Sequence, residues 1–478
     1  MKKIWTRTLS YGYRILLAIG IILGIYRLGY FVYAHVPLGY DPGMYKEIFS
    51  SYVQVLNHMD FSYLPSRVRH EPLLWILAAL LHKLGVSFDR LVTRGIGILT
   101  LIPGLLLFRF FKSRKDPRTG VLAAILYRIS IIQYEIFRRN YFKQTIGVSL
   151  MLLILILWEK KKLLLQSILF FLLILLHRHT AVFTWAILGL SVLLEWIQKK
   201  LFPWKKILAR SLAGTLALLC YIPLRSRVMP EALKAVSATF WGVWMGGDFM
   251  NIFSYLSLQW PVILLSLLWI RLHIKRKTID VWSIGYIISC LRVLFWLVNF
   301  NRTIVFLDIF VIYFAAIALR EIIHRGSKKW LAWIWISLVS IVCIWTAVYY
   351  LWYVAKRSVP LISEEELSSL KSLDTTLEQD AIVMVTHRNY APWIMGWSKR
   401  TYITPGMSDM DKRTHLNWNR RWTSDGTTKC DMLKQTYQTL HRPFYIRLWQ
   451  QQFLENLSGW DCFTLITKGG TWRLYKIF

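Results

Sequence analysis

The sequence predicts a mainly α, polytopic membrane protein that ends in a small α/β domain, and three observations predict it. Of its 478 residues 55% are hydrophobic, with a mean hydropathy of +0.40, more apolar than a soluble chain of this length could cover with polar surface. Apolar runs close to the length that crosses about 30 Å of hydrocarbon recur from residue 15 to residue 354. Beyond about residue 356 the pattern turns mixed polar and apolar, with no spanning run. The expected division is a transmembrane domain over 1–355 and a soluble α/β domain over 356–478.

The net charge of +33 does not point to nucleic acid, because no folded basic module carries it. The cations cluster in short loops between apolar runs: Lys112-Ser113-Arg114-Lys115, Lys160-Lys161-Lys162, Lys199-Lys200 with Lys205-Lys206, Lys275-Arg276-Lys277, and Arg325 with Lys328-Lys329. That is the positive-inside pattern of cytoplasmic loops. Met1-Lys2-Lys3, Arg7 and Arg14 precede the first span, about 15–36, and place the N-terminus in the cytoplasm. That first run is long and lacks a small-residue cleavage site, so it reads as a retained anchor.

Parity decides the next element. Were Leu73–Leu84 to cross, the basic loop at 112–118 would fall outside; the segment is also short for a span, and it reads as a helix lying at the outer interface. The other spans then fall at about 91–111, 119–134, 141–158, 163–177, 180–197, 207–224, 258–272, 281–298, 303–319 and 330–354. Eleven spans in a cell membrane, plasma or inner, leave the C-terminal domain extracytoplasmic. Cys430 and Cys462 both lie in that domain and can pair in an oxidising compartment, whereas Cys220, Cys290 and Cys343 read as buried small residues.

The unusual polar residues gather in the outward loops. Asp41 follows the first span, where Pro42-Gly43 predicts a tight turn and Met44 to about Leu56 an amphipathic helix; capping alone would explain the carboxylate, as would a general base for an acceptor hydroxyl. Arg69-His70-Glu71-Pro72 opens the interfacial helix, with His70 and Glu71 either starting that helix or binding a metal or the acceptor substrate. Glu135, Arg138 and Arg139 lie in one outer turn, where paired arginines suit a phosphate bidentately or snorkel to headgroups. His177-Arg178-His179 forms a second cationic patch, better suited to an anion than to a metal, and Arg302 opens a late span. Asp308, within that span, is expected to neutralise Arg292 or Arg27.

In the terminal domain Ser363 and Glu366 form a capping-box signature for a helix over 363–377. Strand-like runs follow at 381–385, 401–403, 444–448, 463–467 and 472–477, with Lys468-Gly469-Gly470-Thr471 as a hairpin turn and the aromatics as core.

Over about residues 10–350 this layout resembles the GT-C class of integral-membrane glycosyltransferases, the protein mannosyltransferases, aminoarabinose transferases and RgtA/B/C/D-like enzymes. Carrying the resemblance are Asp41 after span one, the helix opened by Glu71-Pro72-Leu73-Leu74-Trp75, and an Arg at the head of span two (Arg90 or Arg94). The small-residue span after Arg118, the turn at Glu135–Asn140, and Arg302 complete it. The resemblance implies transfer of a sugar from a polyprenyl-phosphate donor to a glycan, lipid or protein acceptor on the outer face. Asp41 would be the base, and Arg138, Arg139, His177, His179 and Arg302 would be phosphate ligands. The chain departs from the class where Asp41 is followed by proline rather than glutamate, and where Asn140 and Lys143 follow Arg139. Asp-x-Asp and Trp-Trp-Asp signatures are absent. No metal site is expected from these residues, though a divalent cation, magnesium or manganese, stays open as cofactor. Two other functions compete: a lipid-linked glycan flippase, polymerase or ligase, which as a flippase should line a path through many spans with charge, and a non-catalytic anchor for the terminal domain.

Overall fold

The computed structural model describes residues 18, 20–39, 41–60, 72–199, 203–220, 250, 252–275, 280–295, 300–325, 349, 360–385, 390–403, most of 430–438, 441–449 and 462–478. Two compact units result, one of residues 1–33, 52–86 and 94–358, the other of 34–51, 87–93 and 359–478.

The helices run in chain order as α1 (Gly20–Tyr33), α2 (Asp41–His58), α3 (Pro72–Lys83), α4 (Phe88–Leu99), α5 (Ile102–Ser113), α6 (Pro117–Ile129) and α7 (Ile131–Arg138). They continue as α8 (Phe142–Glu159), α9 (Leu163–Leu176), α10 (Arg178–Lys199), α11 (Trp204–Leu219), α12 (Ile252–Lys275), α13 (Val281–Leu294) and α14 (Phe300–Arg325). Among the described residues five helices are long and apolar enough to cross a membrane, six if the bent pair α6–α7 is one span. Four shorter apolar helices, α1, α3, α9 and α13, accompany them. The expected span at 330–354 lies outside the described residues.

Helix α14 is the centre of the first unit. Its apolar window is 89% buried in protein, against 33–56% for the other spanning helices, and α6, α7, α12 and α13 pack on it. The expected single span over 119–134 is instead two helices that bend by 53° at Ser130. Ser130 has extended backbone angles, ends α6 and caps α7. Cys220, expected buried, is exposed at the end of α11, and Cys290 is partly buried. An apolar run buries a small residue in lipid as readily as in protein, and sequence cannot separate the two.

The second unit holds a five-stranded mixed sheet, ordered β2-β1-β3-β5-β4. Its strands are β1 (Ile382–Val385), β2 (Thr401–Ile403), β3 (Phe444–Trp449), β4 (Phe463–Lys468) and β5 (Trp472–Ile477), with α15 (Glu364–Thr376) and α16 (Ala391–Trp397). β1 pairs parallel with β2 and β3; β5 pairs antiparallel with β3 and β4 through the expected hairpin, with an irregularity between Leu465 and Thr467. Both halves of the capping box on α15 form: Ser363 accepts from the Glu366 N–H, and Glu366 from the Ser363 N–H. Trp393, Trp397, Trp449 and Trp472 pack one core with Leu367, Leu370 and Leu373 of α15. Cys430 and Cys462 form a disulfide beside the other core.

Candidate functional site

In the first unit the site is built on the break at Ser130. Asp308 of α14 is fully buried and accepts three hydrogen bonds, from the Ser130 hydroxyl at 2.7 Å, the Gln133 amide at 2.8 Å and the Tyr255 hydroxyl at 3.5 Å. The expected pairing of Asp308 with Arg292 or Arg27 does not form. Arg292 lies over the Phe183 ring, and Arg27 lies over Phe137 while donating to the Thr100 carbonyl. A membrane interior offers no water to stray polar groups, so hydroxyl and amide donors around one carboxylate satisfy it without burying a second charge. These bonds tie the start of α7 to the central helix.

Helix α7 carries the predicted cluster at its other end. Glu135 is 1% exposed and accepts from Arg138 at 3.0 and 2.8 Å and from Arg139 at 3.1 Å. The three groups that the sequence singled out are therefore one hydrogen-bonded set, with two guanidiniums against one carboxylate. Asn140 then turns the chain through a left-handed conformation, φ 56°, which asparagine tolerates better than most residues.

His177 closes α9 and starts α10. Its Nδ1 accepts the Thr180 N–H at 3.3 Å and lies 2.7 Å from the Thr180 hydroxyl, which leaves the ring proton on Nε2. Of the expected loop His177-Arg178-His179 only His177 is non-helical; Arg178 and His179 are the first residues of α10. His179 meets His177 edge-on at 6.3 Å and stacks on Phe306 of α14 at 5.6 Å. Arg178 is partly buried, and Arg302 is exposed in the first turn of α14. His70 and Glu71 lie outside the described residues.

Asp41 belongs to the second unit. It opens α2 and accepts the Tyr45 hydroxyl at 3.3 Å, one helical turn on. The expected Pro42-Gly43 turn is not a loop: both residues are already helical, proline fitting the first turn, where no N–H is needed. Gly43 is there for another reason. A Cβ on it would overlap the Pro392 carbonyl and come within 2.9 Å of the Trp393 nitrogen, because α2 and α16 cross backbone to backbone. Three further residues of α2 make contacts that fix the helix in this unit. Lys46 bonds Asp89 at 3.0 Å and lies 4.9 Å over Trp397; Glu47 accepts from Tyr402 at 2.7 Å; Phe49 stacks on Phe88 at 4.0 Å. Burial pushes the Lys46 ammonium below its ordinary pKa, against the pull of Asp89. Asp41 is thereby a partly buried carboxylate on a rigidly docked helix turn.

Among the described residues no three His, Cys, Asp or Glu side chains gather closely enough to hold a metal ion. Sequence reasoning missed Ser130, Gln133, Tyr255 and Tyr45. Ser130 and Gln133 carried a signal, the Ser-x-x-Gln spacing of a helix start, hidden inside an apolar run.

The order of elements, a set of apolar helices followed by a small mixed α/β domain, is similar in fold to solved integral-membrane glycosyltransferases of the GT-C class. No protein-family model and no curated protein matches the sequence. Among solved structures, the chain is similar to ArnT from Cupriavidus metallidurans bound to undecaprenyl phosphate, with a TM-score of 0.60, 11% identity and 97% of each chain covered. The apo state of the same protein gives 0.57, 11% and 98% of each chain. The Archaeoglobus fulgidus oligosaccharyltransferase gives 0.59 and 13%, over 93% of this chain and 70% of that one.

Proposed function

We propose that this protein is a glycosyltransferase that moves a sugar from a polyprenyl-phosphate donor to an acceptor hydroxyl at the outer face of a membrane. The observation that carries this reading is the fold match over nearly the full length of a protein that holds undecaprenyl phosphate. Asp41, an acidic residue just after the first apolar helix, supports it. In the reaction the acceptor oxygen bonds to the anomeric carbon as the bond from that carbon to the phosphate oxygen breaks. Asp41 takes the acceptor proton, and polyprenyl phosphate leaves as the anion. Arg138 and Arg139, held in place by Glu135, and His177, Arg178, His179 and Arg302 are the groups proposed to meet phosphate charge. His70 and Glu71 are proposed on the acceptor side. The disulfide of Cys430 and Cys462 suits an oxidising, extracytoplasmic compartment for the terminal domain.

The test is transfer by purified protein in lipid, given polyprenyl-phosphate sugars and candidate acceptors, with Asp41→Asn alongside. The amide keeps an acceptor for Tyr45 but cannot take a proton at neutral pH, so transfer falls by about two to four orders of magnitude with unchanged thermal stability. Equal transfer by wild type and variant removes Asp41 as base; no transfer with any donor favours a flippase, polymerase or ligase.

A further inference from the structure

Far from the outer turn in sequence, the pair α10–α11 encloses a cavity of about 300 Å³, lined by Trp185, Gly189, Trp196, Pro203, Ile207 and Arg210. The walls are apolar but for Arg210 and Ser211. Arg210 is 7% exposed, donates from one terminal nitrogen to the Gln166 side chain at 3.2 Å and packs 4.5 Å over Trp158. Its Nε has no hydrogen-bond partner among the described residues. A guanidinium buried among apolar side chains normally uses all its donors, since each one left unmet is costly there.

The surroundings are cationic. Glu195 is already bonded by Lys199, at 2.8 Å, and by Lys206, while Lys205 lies over Trp204. Four cations in this neighbourhood therefore face one carboxylate. At Gly189 the opposite wall is open, with nothing within 4 Å of where a Cβ would stand. A second cavity, on the α9 side of α11, is lined by Leu163, Leu164, Ile168, Phe171, Leu212 and Leu216 and holds only Ser167 as a polar group. It offers nothing to a headgroup and serves as an internal contrast.

We propose that the α10–α11 cavity is a binding site for one anionic phospholipid, its phosphate on Arg210 and the flanking lysines, its upper acyl chain along Trp185 and Gly189. The volume is at the low end for ligand pockets, enough for a headgroup and the first part of a chain but not for a whole lipid, which would continue into the bilayer. The lipid source is preferred to free phosphate because one wall of the cavity carries exposed apolar side chains of the spanning helix α10, Trp185 at 61% and Trp196 at 43% exposure. Basic pockets between spanning helices recognise anionic headgroups by this chemistry.

The full-length protein in a neutral detergent would be titrated with phosphatidylglycerol and, separately, phosphatidylcholine, reading bound lipid by native mass spectrometry and the unfolding temperature by tryptophan fluorescence. Two variants isolate the site. Gly189→Phe fills the cavity without touching Arg210, and Arg210→Gln removes the charge. Phosphatidylglycerol binds wild type and raises its unfolding temperature, phosphatidylcholine does not, and each variant weakens phosphatidylglycerol binding by at least about fivefold, the worth of one basic group at an anionic lipid surface. Should Arg210→Gln fold poorly, Gly189→Phe decides alone. Phosphatidylglycerol binding to Gly189→Phe as tight as to wild type, equal binding of phosphatidylcholine, or full competition by glycerol 3-phosphate would each overturn the proposal.

Discussion

Asp308 in the first compact unit and Arg447 in the second are both completely buried, and the two are held by different physics. Asp308 in the first unit has three donors drawn from the α6–α7 junction and α12. Arg447 in the second donates to the Ser369 hydroxyl at 2.6 Å and is otherwise held by indole faces, 4.3 Å from Trp472 and 5.1 Å from Trp449. Its Nε and Nη1 have no hydrogen-bond partner among the described residues. The carboxylate is an organiser, since its bonds set the direction in which α7 leaves the break and hence where Glu135, Arg138 and Arg139 go. The guanidinium is packed as a flat body between rings, so its shape matters more than its charge. Removing polar groups should therefore harm the first unit, and disturbing shape should harm the second.

The largest effect is expected at a shape-determined contact in the second unit. Gly43→Ala places a methyl carbon inside the Pro392 carbonyl, and both neighbours are backbone that cannot rotate away. Separating α2 from α16 costs about 3 kcal/mol, the upper range for overpacking, and loosens the turn that carries Asp41. Thermal unfolding of the variant should show a clear loss; an unchanged midpoint would mean that the two helices do not cross so closely. Next in size, Asp308→Ala leaves the Ser130, Gln133 and Tyr255 donors in a dry interior. At about 0.6 kcal/mol for an average hydrogen bond between membrane helices, three lost bonds cost about 2 kcal/mol. Asp308→Asn, which retains an acceptor, should cost less than half of that in the same assay. Equal losses for Ala and Asn would show that charge, not hydrogen bonding, holds α7.

How legible these features were in the sequence follows from how local their causes are. The apolar runs, the capping box of Ser363 and Glu366, and the limits of β2 and β5 rest on short-range patterns, and the structure has them. The break at Ser130 was hidden because apolar residues flank it on both sides, so hydropathy alone carried one span across it. The role of Gly43 was out of reach: its reason is Pro392, some 350 residues on, and a Pro-Gly pair reads locally as a turn. Charge was read pairwise, which placed an arginine on Asp308; three neutral donors from distant positions have no sequence signature. The cluster of Glu135, Arg138 and Arg139 was visible because helical spacing of three and four residues is local.

A smaller effect separates charge from shape at Arg447. Arg447→Met keeps most of the packed length between Trp449 and Trp472 and removes a charge that makes a single hydrogen bond. Replacing a poorly paired buried charge by an apolar residue of similar volume is neutral or stabilising in general, so the unfolding midpoint should shift by less than about 1 kcal/mol in either direction. Arg447→Ala, which empties the same space, should lose more. If Met is as damaging as Ala, the guanidinium is held by polar contacts and the contrast with Asp308 fails.

The smallest effect is electrostatic and exposed. Glu378 on the surface of the second unit accepts from the Tyr445 hydroxyl and from Lys476 at 3.1 Å, and these bonds, the tyrosine first, hold its carboxyl below the ordinary value of 4.5. The sign follows from linkage. With the folded pKa depressed, the contribution is complete above the ordinary value and disappears as pH falls through the lower folded value. Because the group is mostly solvated, added salt should shrink it further. The unfolding midpoint of wild type should thus fall slightly more steeply than that of Glu378→Gln as pH drops from about 5 to about 3, at low ionic strength. Parallel acid limbs would assign the acid sensitivity to other carboxylates and leave the bonds from Tyr445 and Lys476 to Glu378 without energetic weight.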